Sequence, residues 1–498
     1  MKLYIRFITA CMVTTCFFGC ATESNVERNT KITQYKKFVS EMKAKGIETG
    51  NILIYEDEEI VFTSSNGLRS IDPLDTLTLN SQFRLASVSK QFTGMSIVKL
   101  KEEGRLSYNQ KVNSILTDFP YDNITVKHLL HHISGLTDYE QIIEDHFVPE
   151  DSTKRYILGN DEILELFFRV HPELDFQPGE KWEYCNTGYL LLASIVEKIS
   201  GQHFRDFLKE NIFDPIGMTN TTLYNYQIEA DANMPNRVFG YRVAFNQTDF
   251  LLNDYDIVND VRGDGGIYST LNDLYKWNMA LVNYTFVPKE YLYEAWSGGL
   301  LNNGEKTRYG FGWKFPKDKT LPKTVFHAGG WVGFGTFLYN EVETKSGYVV
   351  LTNNSSNAVT TITDAIDSIR ANAPYNFPKL SIAKAMTKLI YSKNSAEAID
   401  FYCEKKNDSA NYYTSEMELN SLGYNLLQRD RLEEALVVFE LNIKEFPESA
   451  NTYDSYGDAL LMQGDSLEAL ERFQTCYRMD TSLIYMIEKM EMVEEALK

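Results

Sequence analysis

A serine and a lysine three residues apart, Ser87 and Lys90, are the side chains best placed for chemistry in this 498-residue chain. They lie in Phe83-Arg-Leu-Ala-Ser-Val-Ser-Lys-Gln-Phe-Thr93, ahead of an apolar helical pattern at Phe92, Met95, Val98 and Leu100 that Gly104 ends. If Ser87 opens that helix, Lys90 stands one turn above it on the same face. An amine so placed takes the hydroxyl proton and turns the serine into a nucleophile. It must be neutral to do so. Lysine has an unperturbed pKa of about 10.4, so desolvation or neighbouring cations are required. A shift of roughly three units corresponds to about 4 kcal/mol that the rest of the fold has to supply.

Spacing alone does not single out this pair. Ser40/Lys43 and Ser381/Lys384 repeat it, but inside ordinary amphipathic helical patterns that read as solvated faces. A second pair, Tyr184 and Asn186, lies in a polar loop after the Gln177-Pro-Gly-Glu180 turn and before the apolar run Tyr189 to Ile199. On either side of Cys185 in an extended loop, their side chains point the same way. Tyr121/Asn123 has the same spacing. His128 and His132 are four apart, as metal ligands on a helix would be. No Glu stands in the intervening turn and no third ligand follows at a recognisable spacing, so no metal is expected there. The Gly263-Asp-Gly-Gly266 turn could cradle an anion. Without a following P-loop lysine, it reads instead as close backbone packing.

The elements that must carry these residues are α+β in character. Gly50 to Glu56 and Glu59 to Thr63 read as a hairpin. Thr324 to Gly330, Gly333 to Tyr339 and Gly347 to Thr352 read as three further strands, and Ala358 to Ala371 as a closing helix. Residues 105–220 are mainly helical. Strands at both ends with helices between them predict one antiparallel sheet built from the two chain ends, flanked by helices and a helical subdomain. Residues 225–260, rich in Asn, Asp and Tyr, read as a surface excursion that could cover a cleft.

Beyond the Pro374 to Pro378 linker the pattern is wholly helical and repeats. Leu422, Gly423, Leu426, Ala435, Phe439 and Pro447 sit at tetratricopeptide positions. Gly457, Leu460, Ala469 and Phe473 recur 34 residues later. Two repeats are too few for a stable stack, so residues 382–412 are expected to supply a further helical pair. Residues 380–498 hold 12 basic and 22 acidic side chains, a net of −10. Such a tail is expected to recruit a protein partner or to brace the preceding domain.

The chain begins with a basic n-region, Lys2 and Arg6, and a 12-residue apolar run from Phe7 to Phe18, too short to span a bilayer. Phe17-Phe-Gly-Cys20 resembles a bacterial lipobox, with Phe17 where leucine is usual; lipidation of Cys20 would anchor an exported protein to the cell envelope. Cleavage before Cys20 leaves Cys185, Cys403 and Cys476 besides it, which is no disulfide framework. The net charge of −20 argues against a nucleic-acid surface. The expected organisation is a signal segment at 1–20, a catalytic domain at 21–375 and an all-helical domain at 380–498.

Taken in order, Ser87-Val-Ser-Lys90, Tyr184-Cys-Asn186 and His327-Ala-Gly329 resemble the three motifs of serine β-lactamases and penicillin-binding proteins. The Tyr-x-Asn form resembles the branch of class C β-lactamases, D-alanyl-D-alanine carboxypeptidases and esterases. His131-His-Ile-Ser-Gly-Leu136, the Gln177-Pro-Gly-Glu180 turn, Gly265-Gly266 before Ser269-Thr270, and Gly330 after the third motif agree. The resemblance covers about residues 30–373. It implies a β-lactamase-like fold and a serine hydrolase without cofactor or metal, acting on a small-molecule or peptide substrate. Ser87 would form an acyl-enzyme and Lys90 would accept its proton. Tyr184 would relay that proton to the leaving group, and Asn186 would hold the lysine and the substrate. The N–H groups of Ser87 and Gly330 would form the oxyanion hole. His327 stands where many of these enzymes carry a lysine. It would meet anionic substrates only when protonated, so such activity should fall as pH rises through about 6–7. That change favours an esterase or D-amino-acid peptidase over a dedicated β-lactamase. Lys345-Ser-Gly347 matches the lysine form of the motif but falls in a predicted hairpin turn. Two other readings stay open: a non-catalytic penicillin-recognising sensor, and a scaffold that works through its repeats.

Overall fold

The computed structural model describes the backbone of residues 9–498 except 225–233, 318–322 and 355–357, and side chains over the same segments from residue 26 onward. The Cys20 lipobox therefore lies outside the described side chains. Among the described residues no helix is long and apolar enough to cross a membrane.

The first unit comprises Met1–Arg242 and Leu252–Tyr375. Its main sheet has five antiparallel strands: β1 (Gly50–Glu56), β2 (Glu59–Asn66), β3 (Thr324–Trp331), β4 (Phe334–Glu341) and β5 (Ser346–Thr352), in the order β3-β4-β5-β1-β2. The two chain ends do meet in one sheet, through β1 against β5 with Leu53 opposite Val349. Every residue of β5 is buried, as is β1 up to Tyr55, which is why both read as near-continuous apolar runs. A long helix, α1 (Thr9–Ala44), packs beside the closing helix, here α4 (Ala358–Arg370), and α4 in turn packs on β5. Between the two halves of the sheet, the chain forms the buried helix α2 (Lys90–Glu102) and the helix α3 (Asn186–Ser200), which pack on each other. Phe92 of α2 stacks on Trp277 at 4.4 Å in the core. Gly104, at φ 72°, takes the left-handed turn that ends α2.

The second unit comprises Val243–Leu251 and Asn376–Lys498. It is all-helical apart from short strand pairs. Helices α5 (Ile382–Ser392) and α6 (Ser395–Lys405) are the expected extra pair. α7 (Glu416–Leu427) with α8 (Leu432–Glu445), and α9 (Ala450–Gln463) with α10 (Ser466–Met479), form the 34-residue repeats, and α11 (Tyr485–Ala496) follows. The repeat is visible in the packing. A Cβ added to Gly423 would lie 2.4 Å from the Phe439 ring, and one added to Gly457 would lie 2.4 Å from the Phe473 ring. Glycine lets each phenylalanine seat against the facing helix.

Two sequence expectations change. The excursion at 225–260 is not wholly a cover for a cleft. Residues 225–233 lie outside the described residues, and Val243–Leu251 belongs to the helical unit, where Phe245 meets Tyr391 edge-on at 5.7 Å beneath Arg429. Ser381 is not an idle surface residue either. It caps α5 by accepting the Lys384 N–H at 3.1 Å and donates to Glu418 at 2.5 Å. Cys185, Cys403 and Cys476 are all free thiols.

Candidate active site

The chain turns through Ala86–Ser89 as a short 3₁₀ segment before α2 begins at Lys90. In a 3₁₀ turn residues three apart eclipse one another, so Lys90 sits directly over Ser87. Ala86 carries φ 49°, a left-handed conformation rare for a residue with a Cβ, immediately before the serine. Lys90 is fully buried. Its Nζ lies 3.1 Å from Ser87 Oγ, 2.9 Å from Asn186 Oδ1 and 2.9 Å from the Asp264 carbonyl. The last two oxygens accept two N–H bonds from a fixed direction. When the amine is neutral, its lone pair is left facing the serine hydroxyl.

The Asp264 carbonyl reaches the lysine because the Gly263–Gly266 turn packs tightly. A Cβ on Gly263 would lie 2.2 Å from the Tyr189 carbonyl. The Asp264 carboxylate accepts the Tyr139 hydroxyl at 2.8 Å. Asn186 opens α3, and its backbone N–H donates to Asp138 Oδ2 at 2.6 Å. Near this flank Glu140 is pushed up to about 7 by burial, with the charges of Asp138 and Asp264 adding to the effect.

Tyr184 closes the other flank. Its hydroxyl is buried with no hydrogen-bond partner among the described residues. Its ring centroid lies 5.0 Å from Lys90 Nζ and 4.3 Å from the His132 ring. Ser87, Lys90, Tyr184 and Asn186 are therefore brought together, as their motifs require. His132 Nδ1 accepts the Cys185 N–H at 3.2 Å, and His128 Nδ1 faces the Thr125 N–H of its own turn at 3.3 Å. The two histidines serve the local backbone, and the His132 ring lies tilted at 36° against the Tyr184 ring.

The third motif lies on edge strand β3. Lys314 pairs with Phe326 through two backbone bonds, Lys314 N–H to the Phe326 carbonyl at 2.8 Å and Phe326 N–H to the Lys314 carbonyl at 3.1 Å. By the two-residue alternation of a strand, the Gly330 N–H also points outward from the sheet. Gly330 and Ser87 line one cleft of about 50 Å³ with Asn186, Tyr139, Asp264 and Trp331. A larger hollow of about 690 Å³ lies over Phe326 and Tyr339, but no serine–lysine pair lines it. Gly329 and Gly330 differ in what they permit. A Cβ on Gly329 would strike Thr336 Oγ1 at 2.3 Å and the Leu85 carbonyl at 2.4 Å, whereas Gly330 has open space. Gly329 lets β3 close on the turn that carries Ser87, and Gly330 leaves room beside it.

His327 departs from its expected role. It is 1% exposed and pinned at both nitrogens, with Nδ1 2.6 Å from the Ala328 carbonyl and Nε2 3.0 Å from the Tyr309 hydroxyl. Burial, reinforced by the charges of Lys314 and Lys90, holds its pKa well below the ordinary histidine value. It is neutral at physiological pH, so the expected switch at pH 6–7 does not apply. Lys345 is also excluded as an alternative motif, because it sits in the β4–β5 turn and pairs with Glu58.

Lys314 was not anticipated. Its Nζ lies 5.5 Å from the Tyr184 ring centroid. The signal was a single charge inside the apolar run Tyr309-Gly-Phe-Gly-Trp-Lys-Phe315, where a half-buried ammonium needs a purpose.

This arrangement agrees with the comparisons to known proteins. A family model described as Beta-lactamase matches residues 35–371. Penicillin-binding protein 4* of Bacillus subtilis is 34% identical over 356 residues, covering 69% of this chain and 78% of that protein. A penicillin-binding protein from Bacillus halodurans superposes with a TM-score of 0.58 at 25% identity, over 67% of this chain and 98% of the other. D-amino acid amidase from Ochrobactrum anthropi shares the fold, with a TM-score of 0.55 at 21% identity over 69% and 99% of the two chains. With Ser87, Asn186 and Gly330 around one cleft and a family model matching residues 35–371, the chain belongs to the β-lactamase and penicillin-binding-protein family.

Proposed function

We propose that the protein is an exported serine hydrolase that works through an acyl-enzyme on an ester, a D-amino-acid peptide or amide, or a β-lactam. The observation that carries this reading is the Lys90 amine, 3.1 Å from Ser87 Oγ and held by two further acceptors. Ser87 Oγ attacks the carbonyl carbon while Lys90 takes its proton. The oxyanion is met by the N–H groups of Ser87 and Gly330. The bond to the leaving group then breaks, and the proton reaches that group through Tyr184. Water enters and its oxygen adds to the acyl carbon while its proton passes to the Lys90 and Tyr184 side; the bond from that carbon to Ser87 Oγ then breaks, Oγ takes the proton, and the acid product leaves. A third motif whose His327 is buried with both ring nitrogens engaged, where many relatives carry a lysine, favours an ester or a D-amino-acid peptide ahead of a dedicated β-lactamase role. Lipidation of Cys20 would hold the enzyme at the envelope, and Cys20→Ser should release it from membranes.

The test is labelling with a fluorophosphonate probe, wild type against Ser87→Ala. Labelling confined to the wild type is expected; labelling that survives the substitution removes Ser87 from the mechanism. Nitrocefin, p-nitrophenyl esters and D-alanyl-D-alanine peptides then separate the substrate classes. A stable acyl-enzyme without turnover on all of them would favour the sensor reading.

A further inference from the structure

The two oxygens that accept from the Lys90 amine, besides Ser87, come from distant segments: Asn186 at the start of α3 and Asp264 in the Gly263–Gly266 turn. One dipeptide, Asp138-Tyr139, is bonded to both segments. Asp138 Oδ2 accepts the Asn186 N–H at 2.6 Å, and its Oδ1 accepts the Glu140 N–H at 3.2 Å, capping the short helix Tyr139–His146. The Tyr139 hydroxyl donates to Asp264 Oδ2 at 2.8 Å. A further bond, from the Thr187 hydroxyl to the Thr137 carbonyl at 2.8 Å, ties the same strap to the first turn of α3.

The Asp264 side chain has particular weight. Residues 263, 265 and 266 are glycines, so Asp264 carries the one side chain that can anchor this turn. Gly263 and Gly266 take φ of 107° and 89°, and such a backbone holds its path only when something fixes it. Tyr139 is fully buried and Asp264 is 7% exposed, so water does not compete for their bond. Burial, with the Asp264 charge adding to it, keeps the Tyr139 phenol well above the ordinary tyrosine pKa, so it stays a donor. Aim matters at this point, since a reacting group misplaced by about 1 Å loses on the order of 10²-fold in rate.

We propose that Asp138 and Tyr139 are the positioning residues for Lys90: through Asn186 and Asp264 they hold the two acceptors that turn its lone pair toward Ser87. This inference rests on the acyl-enzyme reading above, which makes Lys90 the proton acceptor. Neither residue exchanges a proton with the substrate. Both act through the acceptor that each one holds.

The test is the rate of fluorophosphonate labelling, in which Ser87 Oγ bonds to phosphorus, fluoride leaves and the serine proton passes to Lys90. Fluoride takes no proton from Tyr184, so the limiting rate kinact reads proton removal from Ser87. Tyr139→Phe keeps the ring and removes only the hydroxyl. It should lower kinact about tenfold, with KI within about twofold of wild type and the final labelled fraction unchanged. Asp138→Ala should do the same through Asn186. Asp264→Asn keeps an acceptor for the Tyr139 hydroxyl and should retain the rate, whereas Asp264→Ala should lose it. Adding Tyr139→Phe to Asp264→Ala should then cost nothing further. Misfolding would lower the labelled fraction at an unchanged rate, and a lost contact with the probe would raise KI; a deficit confined to either one overturns the proposal. So does a Tyr139→Phe or Asp138→Ala kinact within about twofold of wild type, for the residue concerned. These outcomes leave the acyl-enzyme reading standing if wild-type labelling depends on Ser87. Labelling that does not depend on Ser87 overturns that reading and this inference with it.

Discussion

The Tyr309 hydroxyl lies 3.0 Å from Nε2 of His327, and it is the donor in that bond. The Ala328 carbonyl can only accept, so Nδ1 carries the ring hydrogen and Nε2 presents its lone pair to the phenol. Tyr309 also accepts, through its backbone carbonyl, a 2.9 Å bond from His131 Nδ1. One tyrosine thus fixes two buried neutral imidazoles behind the cleft.

Such imidazoles make the fold sensitive to acid. Burial lowers the His131 pKa to about 4. A histidine depressed in the folded state binds fewer protons than in the unfolded chain, so it favours folding above about 6.5 and loses that contribution as pH falls toward 4. Glu140, raised to about 7, opposes this trend, so a difference measurement is needed. His131→Asn, which keeps a donor for the Tyr309 carbonyl, should reduce the stability lost between pH 7 and pH 5 by about 2 kcal/mol. Urea unfolding of both proteins at the two pH values measures it. An unchanged loss would mean that His131 takes up its proton without unfolding.

Removing the Lys90 amine tests the role proposed for it beside Ser87. Lys90→Met keeps the length of the side chain and should lower kcat by about 10²–10⁴-fold. Asn186→Ala removes one of the two acceptors that aim the amine and should lower kcat by a smaller factor, about tenfold. Pre-steady-state acylation kinetics should place both effects on acyl-enzyme formation. A deficit confined to deacylation would reassign Lys90.

The two glycines after His327-Ala328 should respond in opposite ways. Gly329→Ala sets a methyl group against Thr336 and the Leu85 carbonyl, so it should cost about 1–3 kcal/mol in stability and misplace the serine turn. Gly330→Ala meets open space, so its melting temperature should stay close to wild type while the methyl narrows the cleft and lowers kcat/KM. Thermal melts and steady-state kinetics on both variants separate the effects. Equal destabilisation by the two would contradict the packing.

In the helical unit, Gly423→Ala and Gly457→Ala push a methyl group into the rings of Phe439 and Phe473. Each should destabilise that unit by about 1–3 kcal/mol, and by similar amounts. Pairing either with Phe→Leu at its own partner should recover part of the loss, and pairing it with the other phenylalanine should not. Double-mutant cycles by chemical denaturation make the comparison.

Much of this architecture was legible because side-chain pattern and backbone agree. The buried strands β1 and β5 announce themselves as apolar runs, and the paired spacing of Gly423 with Phe439 and of Gly457 with Phe473 returns as one repeated contact. Ser87, Lys90, Tyr184 and Asn186 were found because their chemistry lies in side chains at short spacings. The Asp264 carbonyl, which holds Lys90, escaped because a backbone oxygen has no sequence signature. Lys314 escaped because its place in the site depends on pairing with Phe326, a tertiary relation that no local spacing encodes. His327 was placed correctly in its motif but given the wrong electrostatics, since only the fold shows that Tyr309 and Ala328 occupy both its nitrogens. The Val243–Leu251 segment was assigned by its neighbours in sequence, whereas Phe245 packs with Tyr391, far along the chain.

The duplicated glycine–phenylalanine seat has an engineering consequence. Helix α11 covers the second pair with Met486 and Val493, while Glu488, Glu491, Glu494 and Glu495 make its remaining surface acidic. Because both hairpins carry the same glycine–phenylalanine seat, a copied 34-residue module spliced in ahead of α11 should prolong the array without redesign of any joint.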